Sequence, residues 1–314
     1  MQAVLLDAAS LGSDISLKPL SDLVPLKVYR SCLEGECESR IKDASIVLTN
    51  KVVITKKMMA KAPHLKFIGV LATGMNNIDL EGAKQLGIHV QNVSDYCSDS
   101  VAQHWLSCVL ALSHSLVAYQ KDVANGLWSQ SPTFCLLDHP ILSLKGKKLL
   151  IIGYGNLGRA VAALAYKSFA MEILVVKRPS SVLKEDALPV KETSLEDGLA
   201  AADIVSLHCP LTQETENLMD KRRLSLMKKG AILVNTARGG LLDEAALLSA
   251  LDAGRLGGAA IDVLKREPPE KDNPLLIGER KNLLVTPHIA WASFESRKRL
   301  IEKMASHLRA FLEN

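Results

Sequence analysis

The sequence predicts an α/β chain of two doubly wound parallel-sheet domains, one inserted into the other. Three observations carry this. Short β-branched and apolar runs alternate with amphipathic stretches almost from end to end, the pattern of βαβ crossovers. Several of these runs are apolar throughout, as parallel strands covered on both faces require. There are about ten of them, which suits two sheets better than one.

In order, the predicted strands are 3–7, 45–49, 66–71 and 87–91, then 147–152, 172–177, 203–207, 231–235, 256–261 and 282–286. Between the fourth and fifth, Ser98 and Asp99 offer an N-cap. Val101, Trp105, Cys108, Leu112 and Leu116 then recur every three or four positions, the stripe of one long helix. An irregular stretch over 125–143, with Gly126, Pro132 and Pro140, follows before the next strand opens. The last helix, about 293–311, has no local partner left and returns to the first sheet. The expected domains are therefore 1–98 plus 291–314, and 99–290.

Composition excludes several classes. At 48% hydrophobic and 23% charged residues over 314 positions, the chain can bury a core and is not disordered. A net charge of +4 is too small to argue for nucleic acid, and Lys221-Arg222-Arg223 and Arg297-Lys298-Arg299 read as solvated helix faces. No apolar run approaches the ~20 residues of a bilayer span, and the first residues read as a strand rather than a signal peptide. Of six cysteines only Cys32 and Cys37 are near neighbours, and no ligand set completes a metal site. Free thiols in a reducing cytoplasm are expected, with no metal, membrane or nucleic-acid partner.

The strongest local signal is Ile151-Ile152-Gly153-Tyr154-Gly155-Asn156-Leu157-Gly158, a buried strand running into Gly-x-Gly-x-x-Gly and then a helix. Gly153 makes the tight turn, Gly155 lets backbone approach a pyrophosphate, and Gly158 lets helix pack on strand. The helix start offers N–H donors and a positive dipole end. In that context the motif predicts a Rossmann dinucleotide-binding domain. The second strand then lacks the acid that bonds a ribose 2′-hydroxyl. It ends in Lys177-Arg178-Pro179-Ser180, cations and a hydroxyl suited to a 2′-phosphate. This favours NADP(H), with NAD(H) the alternative if the two cations are merely exposed residues.

Three segments sit where later strands should end: 235–240 with Thr236, Ala237 and Arg238; 260–269 with Asp262 and Glu267; and 286–291 with His288 and Trp291. A fixed cation, an acid and an imidazole at one sheet edge suit reduction of a 2-oxo acid. The cation grips the carboxylate and polarises the carbonyl, and the imidazolium protonates the forming alkoxide. A carboxylate beside the histidine favours that charged form. Singly, each of these residues also has an ordinary structural role open to it.

Together with 71–79 and His208-Cys209-Pro210-Leu211-Thr212, these motifs resemble the D-isomer-specific 2-hydroxyacid dehydrogenases, and within them the glycerate dehydrogenase/hydroxypyruvate reductase branch, over essentially the whole chain. The resemblance implies a Rossmann cofactor domain inserted into a flavodoxin-like substrate domain. It implies His288 as proton donor, Glu267 as its partner and Arg238 as the substrate-orienting cation. Gly153, Gly155, Asn156, Leu157 and Gly158 would line the pyrophosphate. His208, Cys209, Pro210 and Thr215 would line the adenosine side, and Thr236, Ala237 and Asp262 the nicotinamide. Ala72, Thr73, Gly74 and Trp291 would meet the substrate in a cleft between the domains. Hydroxypyruvate or glyoxylate is the favoured substrate, and a homodimer is implied. Two departures stand out: Lys177 where many relatives carry an acid, and Gln103 where a glutamate is frequent. Dinucleotide-sensing corepressors of the same fold are the alternative function, and glycine-loop methyltransferases a more distant one.

Overall fold

The computed structural model describes residues 1–33, 35–177 and 188–313. It divides into one unit of Met1–Cys97 with Trp291–Asn314 and a second of Ser98–Ala290. The first holds β1 (Ala3–Leu5), α1 (Lys18–Ser21), β2 (Leu26–Val28), α2 (Cys37–Ile41), β3 (Ile46–Thr49), α3 (Lys56–Ala60), β4 (Phe67–Val70), α4 (Leu80–Gln85) and β5 (His89–Asn92). All pairings are parallel, in the order β2-β1-β3-β4-β5, the flavodoxin-like doubly wound order. Strands β1, β3 and β4 are buried on both faces, as their unbroken apolar text requires.

The second unit holds α5 (Ser98–Ser113), α6 (Leu116–Ala124), β6 (Lys148–Ile152), α7 (Asn156–Phe169), β7 (Glu172–Val176), β8 (Val190–Glu192), α8 (Leu195–Ala201), β9 (Ile204–Leu207), α9 (Lys221–Leu226), β10 (Ala231–Asn235), α10 (Glu244–Asp252), β11 (Leu256–Ile261) and β12 (Leu283–Val285). Its seven parallel strands run β8-β7-β6-β9-β10-β11-β12. Strand β6 shows why two apolar layers form: Leu149 and Ile151 enter the cluster with Trp105 and Val161, while Leu150 and Ile152 enter the opposite one with Leu199 and Leu233. The C-terminal helix α11 (Phe294–Leu312), capped by the Ser293 hydroxyl, belongs to the first unit. There Phe311 meets Phe67 of β4 at 4.8 Å between ring centres.

Three expectations are corrected. The stripe from Val101 does not continue through Leu116: α5 stops at Ser113, Ser115 turns left-handed (φ 50°), and α6 leaves at a bend of 58°. The break is held from afar, by Ser115 Oγ donating to Pro140 O (2.8 Å) and Leu142 N–H to Ser113 O (2.8 Å). Strands β2 and β8 have no counterpart among the ten read from sequence. Both are three-residue edge strands, partly exposed, with no apolar run to announce them. Cys32 and Cys37 are joined in a disulfide across the turn into α2, their Cα atoms 6.0 Å apart, where free thiols were expected. Among the described residues no single helix is long and apolar enough to cross a membrane, and no cluster suits a metal ion.

Candidate active site

The glycine turn lies where the sheet of the second unit reverses its winding, between β7 on one side of β6 and β9 on the other. Gly153 is left-handed (φ +97°), and a Cβ there would lie 2.6 Å from the Cys209 amide nitrogen and 2.7 Å from the His208 carbonyl carbon. Only glycine lets the two strand ends approach this closely. Gly155 caps α7 without a side chain, and a Cβ on it would meet nothing within 4 Å. The first-turn N–H groups of Asn156, Leu157 and Gly158 thus face no capping side chain, the condition for anion binding. A Cβ on Gly158 would stand 2.3 Å from Gly153 O, so this glycine seats the helix on the strand.

Beyond β9, the His208 N–H donates to Ile152 O (2.8 Å), and its Nε2 meets Ser206 Oγ at 2.8 Å. Burial pushes the imidazole down to about 4, so the ring is neutral at ordinary pH. Its Nδ1, and Thr236 Oγ1 beyond β10, are buried polar atoms without a partner among the described residues. Such atoms are costly unless something bonds them. With the open face of Gly155 and the uncapped helix start, they fit a dinucleotide. Thr215 is turned into its own loop: its hydroxyl donates to Pro210 O and accepts from the Thr212 N–H, both at 2.7 Å.

Strands β10, β11 and β12 end side by side, with Asn235 level with Ile261 and Ile261 with Val285. Arg238, Asp262 with Glu267, and His288 follow them on that one edge. Wholly buried Asn235 shapes the first loop, its Oδ1 accepting from the Ala237 N–H (3.1 Å) and its Nδ2 donating to Arg238 O (2.9 Å). Arg238 is half-buried and its Nη1 donates to Ala237 O (2.6 Å). At Gly239 a Cβ would lie 2.0 Å from the Leu264 carbonyl carbon, so the loops after β10 and β11 abut. Glu267 takes the Leu264 N–H on Oε1 (2.9 Å), which holds Oε2 at 2.6 Å from His288 Nδ1.

His288 itself has left-handed backbone (φ 56°), a conformation costing about 1–3 kcal/mol in a non-glycine residue. Its N–H donates to Asp262 O (2.8 Å). The buried Asp262 carboxylate accepts the Ile289 N–H (2.9 Å), the Ala290 N–H (2.9 Å) and the Thr286 hydroxyl (2.6 Å). Sequence reading put Asp262 beside a nicotinamide and left a turn-capping role open to it, which the structure shows; it did not contain the part of Asn235. A buried Asn or Asp at a strand end was the available signal.

At the far edge Lys177 directly follows β7 and pairs with Glu192 of β8 at 3.4 Å. A carboxylate thus faces Lys177 from the neighbouring strand, and sequence reading missed it along with β8. Arg178 and Ser180 lie outside the described residues. Ala72, Thr73, Gly74 and Trp291 belong to the first unit. There Thr73 Oγ1 donates to Val93 O (3.3 Å), the Val93 N–H to Ala72 O (3.2 Å), and Trp291 packs edge-on to Tyr96 at 6.2 Å.

A glycine turn fit for a dinucleotide, with an arginine and a carboxylate-backed histidine on later strand ends of the same sheet, defines the class: a nucleotide-dependent oxidoreductase fold. The chain belongs to the D-isomer specific 2-hydroxyacid dehydrogenase family, whose NAD binding domain matches residues 106–290. It is 38% identical to a hydroxypyruvate reductase of Blautia hydrogenotrophica over 100% of this chain and 97% of that one. It is also 38% identical to a glycerate dehydrogenase of Methylorubrum extorquens, covering 99% and 96%. Among solved structures it resembles an acyclic imino acid reductase in complex with NADPH and D-Arg, with TM-score 0.87 and 27% identity over 100% and 97% of the two chains.

Proposed function

We propose that the protein reduces a small 2-oxo acid to the D-2-hydroxy acid, with hydroxypyruvate or glyoxylate as substrate and D-glycerate or glycolate as product. The observation that carries this is the 2.6 Å contact of His288 Nδ1 with Glu267 Oε2 on the strand-end edge that also bears Arg238. A bound reduced nicotinamide supplies the hydride that reaches C2. Arg238 binds the substrate carboxylate and polarises the C2 carbonyl. With Nδ1 on Glu267, the proton passed to the carbonyl oxygen leaves from His288 Nε2, and the ring ends neutral. Glu267 orients that ring through the contact at Nδ1. Gly153, Gly155, Asn156, Leu157 and Gly158 take the pyrophosphate, and His208, Cys209, Pro210, Thr215, Thr236, Ala237 and Asp262 the rest of the dinucleotide. Substrate contacts from Ala72, Thr73, Gly74 and Trp291 are part of the same proposal.

NADP(H) is the favoured cofactor, supported by Lys177 immediately after β7. Its pairing with Glu192 offsets part of that charge and keeps NAD(H) as the alternative. A homodimer through the second unit is also proposed. Exposed apolar residues gather within 116–142, among them Leu116, Trp128, Phe134 and Leu137, the last two 90% and 76% exposed. Apolar surface of this kind marks an interaction face. The activities of the relatives give the corepressor-like reading no support. The deciding experiment runs hydroxypyruvate, glyoxylate and other small 2-oxo acids against NADPH and NADH, following the absorbance of the reduced nicotinamide. The reading predicts turnover that His288→Ala removes while cofactor affinity stays. Turnover untouched by that substitution overturns it.

A further inference from the structure

His288 is one of five described non-glycine residues with left-handed backbone, and the only one of them beside a carboxylate in its own proposed site. What holds it there runs back to a distant helix. Asp262 gathers the Ile289 and Ala290 N–H groups on its two carboxylate oxygens, and its backbone oxygen takes the N–H of His288. The hydroxyl proton of Thr286 points at Asp262 Oδ1 (2.6 Å), so only the lone pairs of Thr286 Oγ1 remain for other partners. Nε2 of His104, in α5 and 182 residues earlier, stands 3.1 Å from that oxygen. A hydrogen bond there requires the proton on Nε2. The same nitrogen lies 3.7 Å from Asp262 Oδ1 and 3.6 Å from Cys108 Sγ. Burial pushes the Cys108 thiol up to about 11, so the sulfur stays protonated and uncharged at ordinary pH.

We propose that His104 is a positioning residue: the chain His104 to Thr286 to Asp262 locks residues 288–290 in the left-handed turn that presents His288 to Glu267. All donors point one way, from imidazole N–H to hydroxyl to carboxylate, so the buried acid is satisfied by one side-chain donor and two amides. Without the His104 donor, Thr286 is free to rotate its hydroxyl to another acceptor, and Asp262 loses the contact that fixes its carboxylate plane. The strained backbone at His288 then relaxes and Nδ1 departs from Oε2. This rests on the reading of His288 as proton donor, and the test separates the two.

The test compares His104→Phe, which keeps the ring and removes the donor, with His104→Gln, which restores an N–H of similar reach. Thr286→Val and Thr286→Ser form a second, independent pair, and His288→Ala is run alongside. Hydrogen–deuterium exchange of the peptide 286–292 is measured on the protein without cofactor, and kcat and KM for hydroxypyruvate with reduced cofactor. His104→Phe and Thr286→Val are expected to lower kcat about tenfold while KM stays within about twofold, the loss of one hydrogen bond feeding a charged group. Both should speed exchange at Ile289 and Ala290, and Gln and Ser should restore both readouts. Unchanged exchange and kcat in both donor-deleting variants overturn the proposal, as does a loss that Gln and Ser do not rescue. If His288→Ala retains turnover, the proposed function fails, and the exchange data alone then decide the relay.

Discussion

Two substitutions in one turn should separate what the glycine motif does for the fold from what it does for the ligand. Gly153→Ala puts a Cβ 2.6 Å from Cys209 N and 2.7 Å from the His208 carbonyl carbon, against backbone that no rotamer change can move. It also forces alanine to φ +97°. Left-handed strain of about 1–3 kcal/mol and overpacking of about 1–3 kcal/mol sum to roughly 2–6 kcal/mol. For a unit of the size of Ser98–Ala290, that corresponds to a melting temperature lower by about 4–24 °C. Gly155→Ala differs in both respects. Its φ is −86°, and its new methyl group meets nothing within 4 Å. Alanine is a poorer N-cap than glycine by about 0.5 kcal/mol, and the stiffer unfolded chain returns about 0.4–1 kcal/mol, so stability should hardly change. Yet that methyl occupies the space in front of the α7 N–H groups, and cofactor affinity should fall about tenfold, or 1.4 kcal/mol. Differential scanning calorimetry and fluorescence titration with NADPH and NADH read the two quantities separately. A Gly155→Ala protein that melts as early as Gly153→Ala, or binds cofactor as tightly as the parent, would refute the reasoning.

Three further outcomes are expected. Lys177→Ala with Arg178→Ala should weaken NADPH about tenfold and leave NADH within about twofold, while Glu192→Gln should tighten NADPH by freeing Lys177; equal effects on both cofactors exclude a 2′-phosphate contact. Phe134→Ser with Leu137→Ser should convert a dimer to monomers in light scattering, and an unaltered mass rules this face out as the interface. The third concerns pH. His208 is held at about 4 in the folded chain against 6.5 in a free side chain, so the unfolded state takes up its proton first. Its contribution is complete above pH 6.5 and is lost as pH falls toward 4, about 3 kcal/mol in all. His208→Gln should flatten the urea-unfolding free energy over that window, and an unchanged acid slope counts against burial of the neutral ring.

How far the sequence could be read follows from which interactions are local. Of the ten strands read from sequence, the eight interior ones are visible because burial on both faces writes an apolar run into each of them. The glycine turn is visible because its three constraints fall within six residues. Edge strand β8 has one partner and a polar face, so Val190–Glu192 carries no such run, and with it went the acid that faces Lys177. The stop of α5 at Ser113 depends on Pro140 and Leu142, and no helix propensity within 98–124 records them.

The site divides along the same line. Arg238, Glu267 and His288 could be assigned to one edge because β10, β11 and β12 are neighbours in space in the order in which they occur in the chain. Each lies within a few residues of a legible strand end, so topology alone gathers them. The support beneath His288 has no such spacing. Asp262 reaches it through two amides and a hydroxyl, and His104 reaches Asp262 from a helix that precedes the glycine turn. A histidine within an amphipathic helix reads as a core or boundary residue, and only the packing of α5 against β12 gives it a donor's role. Groups that contact substrate must sit at strand ends and are therefore legible. Groups that hold those contacts in strained geometry need only be rigid and buried, so they are drawn from wherever the fold brings a donor within reach.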